Sequence, residues 1–82
     1  MTYWNYRVLM RQDPVEGETY EIHEVYYDED GEISMWTERP AEVEEDSVES
    51  LRHILTHMLD ALDKPPLREV LLEGKARLIP LE

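Results

Sequence analysis

The apolar residues of this chain change their period once, and that change dictates a sheet followed by a helix. Trp4, Tyr6, Val8 and Met10 point one way and Asn5, Arg7 and Arg11 the other, the period-two pattern of a half-buried strand. From Val48 onward Leu51, Leu55, Met58 and Leu62 recur at three and four instead, which is one apolar stripe along a helix. No single stretch of chain satisfies both periods, so the two halves must be different elements packed on each other.

The connections follow from turn chemistry. Asp13-Pro14-Val15-Glu16-Gly17 presets a turn with proline and ends it with a glycine free to take positive φ. Residues 19–27 return as a second strand, and their apolar parity changes from Tyr20 and Ile22 to Val25 and Tyr27, which predicts a bulge or bend near His23 and Glu24. Asp28-Glu29-Asp30-Gly31-Glu32 predicts a second hairpin. A two-residue turn pairs Tyr26 with Met35, whereas a three-residue loop with a left-handed Gly31 pairs Val25 with Met35 and Tyr27 with Ile33. The second register gathers four apolar side chains on one face and is the one expected. The third strand then spans residues 32–37 and Arg39-Pro40 ends it.

Residues 41–45 form an acidic linker, and Asp46-Ser47-Val48-Glu49 reads as a helix start with a cap and, three positions on, the carboxylate of Glu49. The helix is expected to run to about Asp63, before Pro65-Pro66. The tail is ambiguous in sequence: residues 67–73 are compatible with a short helix closed by Gly74, and residues 76–81 resemble a final edge strand. The whole, residues 1–82, is one small acidic α+β domain. It is expected as a three-stranded antiparallel meander packed by one long helix, with a short C-terminal helix or edge strand. Its expected core is Trp4, Tyr6, Val8, Met10, Val25, Tyr27, Ile33 and Met35 against the helix stripe.

Charge limits the partners. Residues 12–51 hold fifteen Asp and Glu and one base, Arg39, while Lys64, Arg68, Lys75 and Arg77 crowd the C-terminal end. With a net charge of −12 the chain repels nucleic acid and anionic membrane and attracts basic protein surfaces. It contains no cysteine, which excludes disulfides, thiolate metal sites and thiol nucleophiles and accords with a reducing cytoplasm. It has neither a secretory leader pattern nor an apolar run long enough to span a membrane, so a cytoplasmic protein is expected. The free edges of a short meander, with burial of Trp36 or the tail, favour a homodimer.

Several segments carry a family resemblance. Trp4-Asn5-Tyr6-Arg7-Val8, then Ile22-His23-Glu24-Val25-Tyr26-Tyr27-Asp28-Glu29-Asp30-Gly31, then Trp36-Thr37-Glu38-x-Pro40 resemble a family of small uncharacterised bacterial proteins. Ser47-Val48-Glu49-Ser50-Leu51 and Met58-Leu59-Asp60-Ala61-Leu62-Asp63-Lys64-Pro65 resemble the same family's helix. The order of a meander followed by a Ser-x-Glu-x-Leu helix is also similar to HicB-type antitoxins, whose partial RNase H-like domain blocks a small basic toxin. That resemblance implies a basic protein partner. The chain departs from it in lacking a Pro-Asp-x-Pro-Gly-Cys segment after the second strand and a segment that reads as a DNA-binding domain.

The chemistry-bearing residues are few. His53 and His57, four apart, project with Glu49 and Asp60 from the helix side opposite the expected stripe, a spacing able to hold a divalent ion but without the glutamate of a His-Glu-x-x-His motif. Asp28, Glu29 and Asp30 beside Gly31 match a calcium loop only in its middle, since Tyr26 and Thr37 stand at its first and twelfth positions. His23 and Glu24 point to opposite faces of a strand unless a bulge turns them together.

Two functions of different class are therefore expected. The leading one is a non-enzymatic protein-interaction module, without cofactor, metal or catalytic residues. It binds a basic surface through Tyr20, Tyr26 and Trp36 with Asp28, Glu29 and Asp30. The alternative is a small metal-binding protein or enzyme using His23 with Glu24 and His53 with His57.

Overall fold

A computed structural model describes residues 3–81. Its elements, in chain order, are β1 (Tyr3–Asp13), β2 (Gly17–Tyr27), β3 (Ile33–Trp36), α1 (Val48–Ala61), β4 (Leu67–Leu72) and β5 (Lys75–Pro80). The strands form one five-stranded sheet in the order β3-β2-β1-β4-β5. All neighbours are antiparallel except β1 and β4, which run parallel with Leu9 beside Leu67 and Met10 beside Arg68. The protein is thus α+β as expected, but the sheet is mixed and larger than a three-stranded meander.

The correction lies in the tail. Residues 67–73 are not a helix; they form β4 and the start of a hairpin whose two-residue loop, Glu73-Gly74, has φ of 53° and 78°. Both central residues of a primed two-residue turn need positive φ, so Gly74 serves that turn and not a helix end. The physical reason is the open edge of β1. A helical tail leaves that edge's backbone groups without partners, whereas β4 pairs with them and buries Leu67 against Leu9. The expected edge strand at residues 76–81 is present as β5 and pairs with β4 along its length.

The β1–β2 hairpin is regular over eleven pairs, from Tyr3 opposite Tyr27 to Asp13 opposite Gly17, so the bulge expected at His23 and Glu24 is absent. The parity change has another origin: each face of the sheet has its own core. Tyr6, Val8 and Ile22 look toward α1 and pack with Ile54, Met58, Ala61 and Ala41. Leu9, Val25 and Tyr27 look the other way and pack with Leu67, Leu78, Ile33 and Trp36. This second core unites β3 at one edge of the sheet with β4 and β5 at the other. Trp36 Nε1 donates to Glu69 Oε1 at 3.1 Å, and residues of β3 and β5 line one cavity. The sheet therefore curls until its edges approach, and the inner surface of the curl takes the place of a second layer.

The β2–β3 loop has the expected form. Gly31 N–H donates to the Asp28 carbonyl at 3.1 Å with Gly31 at φ 80°, and Tyr27 stands opposite Ile33. Beyond that pair the register differs from expectation: Tyr26 faces Met35 and Val25 faces Trp36, with an irregularity between Tyr26 and Tyr27. The extra residue exchanges Met35 for Trp36 on the inner face. The larger ring then joins Val25, Tyr27 and Ile33 in the second core, and Met35 is left exposed.

The helix starts within the expected segment but one residue later than an Asp46–Glu49 box sets it: Ser47 is the cap, its Oγ accepting from Ser50 N–H at 3.1 Å, and Glu49 lies in the first turn. Its inward face is a correction. Met58 and Ala61 are buried and Ile54 packs beside them, while Val48, Leu55, Leu59 and Leu62 are exposed. Of the expected stripe only Met58 belongs to the core. Two overlapping stripes run along α1, and both recur at three and four, so periodicity alone does not choose between them.

The β1–β2 turn supplies a pH-dependent contact. Asp13 Oδ1 accepts from Val15 N–H at 2.7 Å and from Glu16 N–H at 2.9 Å. The Glu16 and then the Val15 amide hold its carboxyl below the ordinary value of 3.8. A depressed folded value stabilises the fold above the ordinary value, and that contribution is lost as pH falls through the depressed one. Asp13→Asn keeps an acceptor oxygen that does not titrate. Thermal melts between pH 5 and pH 2 are expected to show a shallower acid loss for Asp13→Asn than for the native chain, and parallel curves would contradict the assignment.

Candidate functional site

The expected contact residues do not converge. Tyr20 and Tyr26 lie on the α1 side of the sheet, Trp36 lies in the opposite core, and Asp28, Glu29 and Asp30 sit at the loop between β2 and β3. Asp28 is occupied by the turn itself, its Oδ1 accepting from Asp30 and Glu32 N–H at 2.9 and 3.0 Å. Trp36 is spent on the core and on Glu69. Of the expected set, Tyr26 belongs to a coherent surface.

That surface exists because an 11-residue strand extends about 36 Å while a 14-residue helix covers about 21 Å. The helix leaves part of the hairpin bare. Trp4, Tyr26 and Met35 form a row across β1, β2 and β3, each opposite the next in register. The Trp4 ring stands edge-on to Tyr6 with centroids 5.1 Å apart and is tilted to Tyr26 at 6.2 Å. At the Trp4 end the row opens into a cavity of about 440 Å³ between sheet and helix, lined by Trp4, Asn5, Tyr6, His53, Ile54, His57, Asp60 and Lys64. The strand pattern assigns both Trp4 and Tyr6 to the core; Tyr6 is buried there, but Trp4 is about half exposed. The available signal was length, since Trp4 lies at the very start of a strand longer than the helix that covers it.

Carboxylates lie near the rings of this cleft. Burial first, then the charges of Glu24 and Glu45, push the Tyr6 phenol above its ordinary value. Tyr26 donates its hydroxyl to Glu24 Oε1 at 2.5 Å, and this hydrogen bond, with a smaller part from burial and charge, raises its phenol too. The nearby carboxylates of Glu24 and Glu45 favour an approaching cation over an anion. Lys64, which also lines the cavity, is the opposing charge.

The histidines fall into two unconnected settings. His53 and His57 are exposed on α1 with their Nε2 atoms 3.2 Å apart and their rings edge-on. They share the cavity with Asp60, yet among the described residues no group of three or more His, Asp or Glu is close enough to hold a metal ion. His23 is fully buried on the other face of the sheet. Its Nε2 lies 2.8 Å from Glu21 Oε1, and its Nδ1 lies 2.9 Å from the Thr37 carbonyl and 3.1 Å from Thr37 Oγ1. Glu24 is not its partner, because adjacent strand residues point to opposite faces and Glu24 is engaged by Tyr26. The histidine instead fastens β2 to the segment after β3.

Among the described residues no helix is long and apolar enough to cross a membrane. Comparison with protein-family models, with curated proteins and with solved structures finds no match.

Proposed function

We propose that this protein is a non-enzymatic interaction module of the cytoplasm that binds a basic protein surface at the aromatic cleft between β1, β2 and α1. The observation that carries the reading is the cleft itself: Trp4, Tyr6 and Tyr26 present ring faces and edges beside Glu24, Glu45 and Asp60. An arginine or lysine side chain entering there meets ring faces for its cation and carboxylates for its charge. The surplus of fifteen acids over one base in residues 12–51 adds long-range attraction that speeds encounter. A basic partner is also what the resemblance to HicB-type antitoxins implies.

The test is the binding of a fluorescently labelled Arg- and Lys-rich peptide, followed by anisotropy. Binding is expected at low salt and is expected to fade as ionic strength rises, since screening acts within about 8 Å at physiological salt. Trp4→Ala is expected to weaken it about tenfold, as loss of a central aromatic anchor does, and Lys64→Ala to strengthen it by removing the like charge. No binding at low salt, or binding indifferent to Trp4→Ala, would refute the reading.

A further inference from the structure

The exposed stripe of α1 is unusually ordered. Val48, Leu55, Leu59 and Leu62 are 71, 46, 63 and 62 % exposed, and with half-buried Leu51 they make a continuous apolar strip. Val48, Leu51, Leu55, Leu59 and Arg52 line one shallow groove. The strip stands beside the buried face of Ile54, Met58 and Ala61, so α1 is apolar well beyond what the sheet covers. A contiguous uncovered apolar strip marks an interface.

The spacing identifies the occupant. Along the strip the intervals are three, four, four and three, so the pattern reads the same from either end and is centred on Leu55. A helix crossed antiparallel by a copy of itself, with the twofold axis at Leu55, sets Val48 opposite Leu62, Leu51 opposite Leu59 and Leu55 opposite its own equivalent. An isologous contact must be self-complementary in this way, and a strip shaped for an unrelated partner has no need of such symmetry. The mean interval is also about 3.5 residues, the repeat that keeps a seam facing a neighbouring helix.

We infer that α1 is the interface of a homodimer, two copies of this chain packing their Val48–Leu62 strips antiparallel about Leu55. This differs from a dimer built on sheet edges, since β3 and β5 curl toward each other. It also leaves the Trp4 cleft free, because His53 and His57 flank the opposite side of the buried helix face from the strip. The strips and their flanks bury on the order of 1,000 Å² over both copies, the lower bound of a specific interface, so dimer and monomer are in equilibrium at accessible concentrations. The charge of −12 on each copy opposes association, and salt screens it. Added salt is therefore expected to strengthen the dimer while it weakens binding of a basic peptide, which keeps the two claims separable.

Sedimentation of the full chain at roughly 50 μM, in about 0.02 M and about 0.5 M salt, tests the inference. A two-chain mass is expected at the higher salt. Leu55→Glu and Leu55→Lys are each expected to give one-chain masses, because the twofold axis sets the new charge against itself. An equimolar mixture of the two is expected to recover the two-chain mass, an outcome that only self-pairing at position 55 produces. Circular dichroism confirms folding of each variant, since Leu55 lies outside the core. A one-chain mass of the native protein in both buffers, a two-chain mass unaffected by either substitution, or no recovery on mixing overturns it.

Discussion

Leu9→Ala is expected to cost about 2–5 kcal/mol, enough to unfold a large share of so small a domain, whereas Leu55→Ala is expected to cost under about 1 kcal/mol in the monomer. Leu9 is almost wholly buried at the centre of the sheet, where it meets Val25 and Tyr27 on one side and Leu67 and Leu78 on the other. Truncation there opens a cavity among strands that cannot close without breaking register. Leu55 already faces solvent over nearly half its surface, so its truncation removes little burial. Urea denaturation of the two variants measures the contrast. Equal losses would mean that α1 is turned the other way on the sheet.

His23→Ala is the second large expectation, at about 3–5 kcal/mol, through a cavity joined to unpaired polar groups. The imidazole is the shared partner of the Glu21 carboxylate and the Thr37 carbonyl, both acceptors, and it is fully enclosed. Its removal leaves Glu21 facing Arg11 Nε at 3.9 Å. It also cuts the side-chain link that holds the segment after β3 to β2, where Thr37 N–H and the Glu24 carbonyl remain paired at 3.0 Å. His53→Ala, on the exposed face of α1, is expected to leave stability within about 0.5 kcal/mol of the native chain. Thermal melts of both histidine variants give the comparison, and a mild loss at His23 would mean that water can replace the ring.

Why the second core stays hidden in a one-dimensional reading is visible at β2. Alternation treats a strand as having one buried side, and Tyr20 and Ile22 followed by Val25 and Tyr27 then look like a register slip. The strand in fact changes its buried side along its length: His23, Val25 and Tyr27 enter the inner surface of the curled sheet, while Ile22 supports α1. The site was obscured in the same way. Tyr26 is left over by the expected register and so legible as a contact residue, but Trp4 satisfies the strand pattern like any core residue, and only the short reach of α1 leaves it at a cleft. Trp36 shows the reverse, an aromatic residue left over by the expected register and then drawn into the core by one irregular residue in β3.

Local chemistry determined everything that needs only neighbours in the chain. The Ser47 cap, the left-handed Gly31 loop, the Asp13 turn and the change from period two to period three-and-four each depend on a few adjacent residues whose geometry follows from their own side chains. The self-symmetric strip of α1 is likewise written in the sequence. Its exposure, though, is a tertiary fact. Which of two stripes a helix buries, whether a tail becomes a helix or fills the open edge of β1, and which side of a strand is covered are settled by competition for burial among distant segments. Such competition is decided by the summed area and hydrogen bonds of the whole assembly, and no residue carries that sum locally.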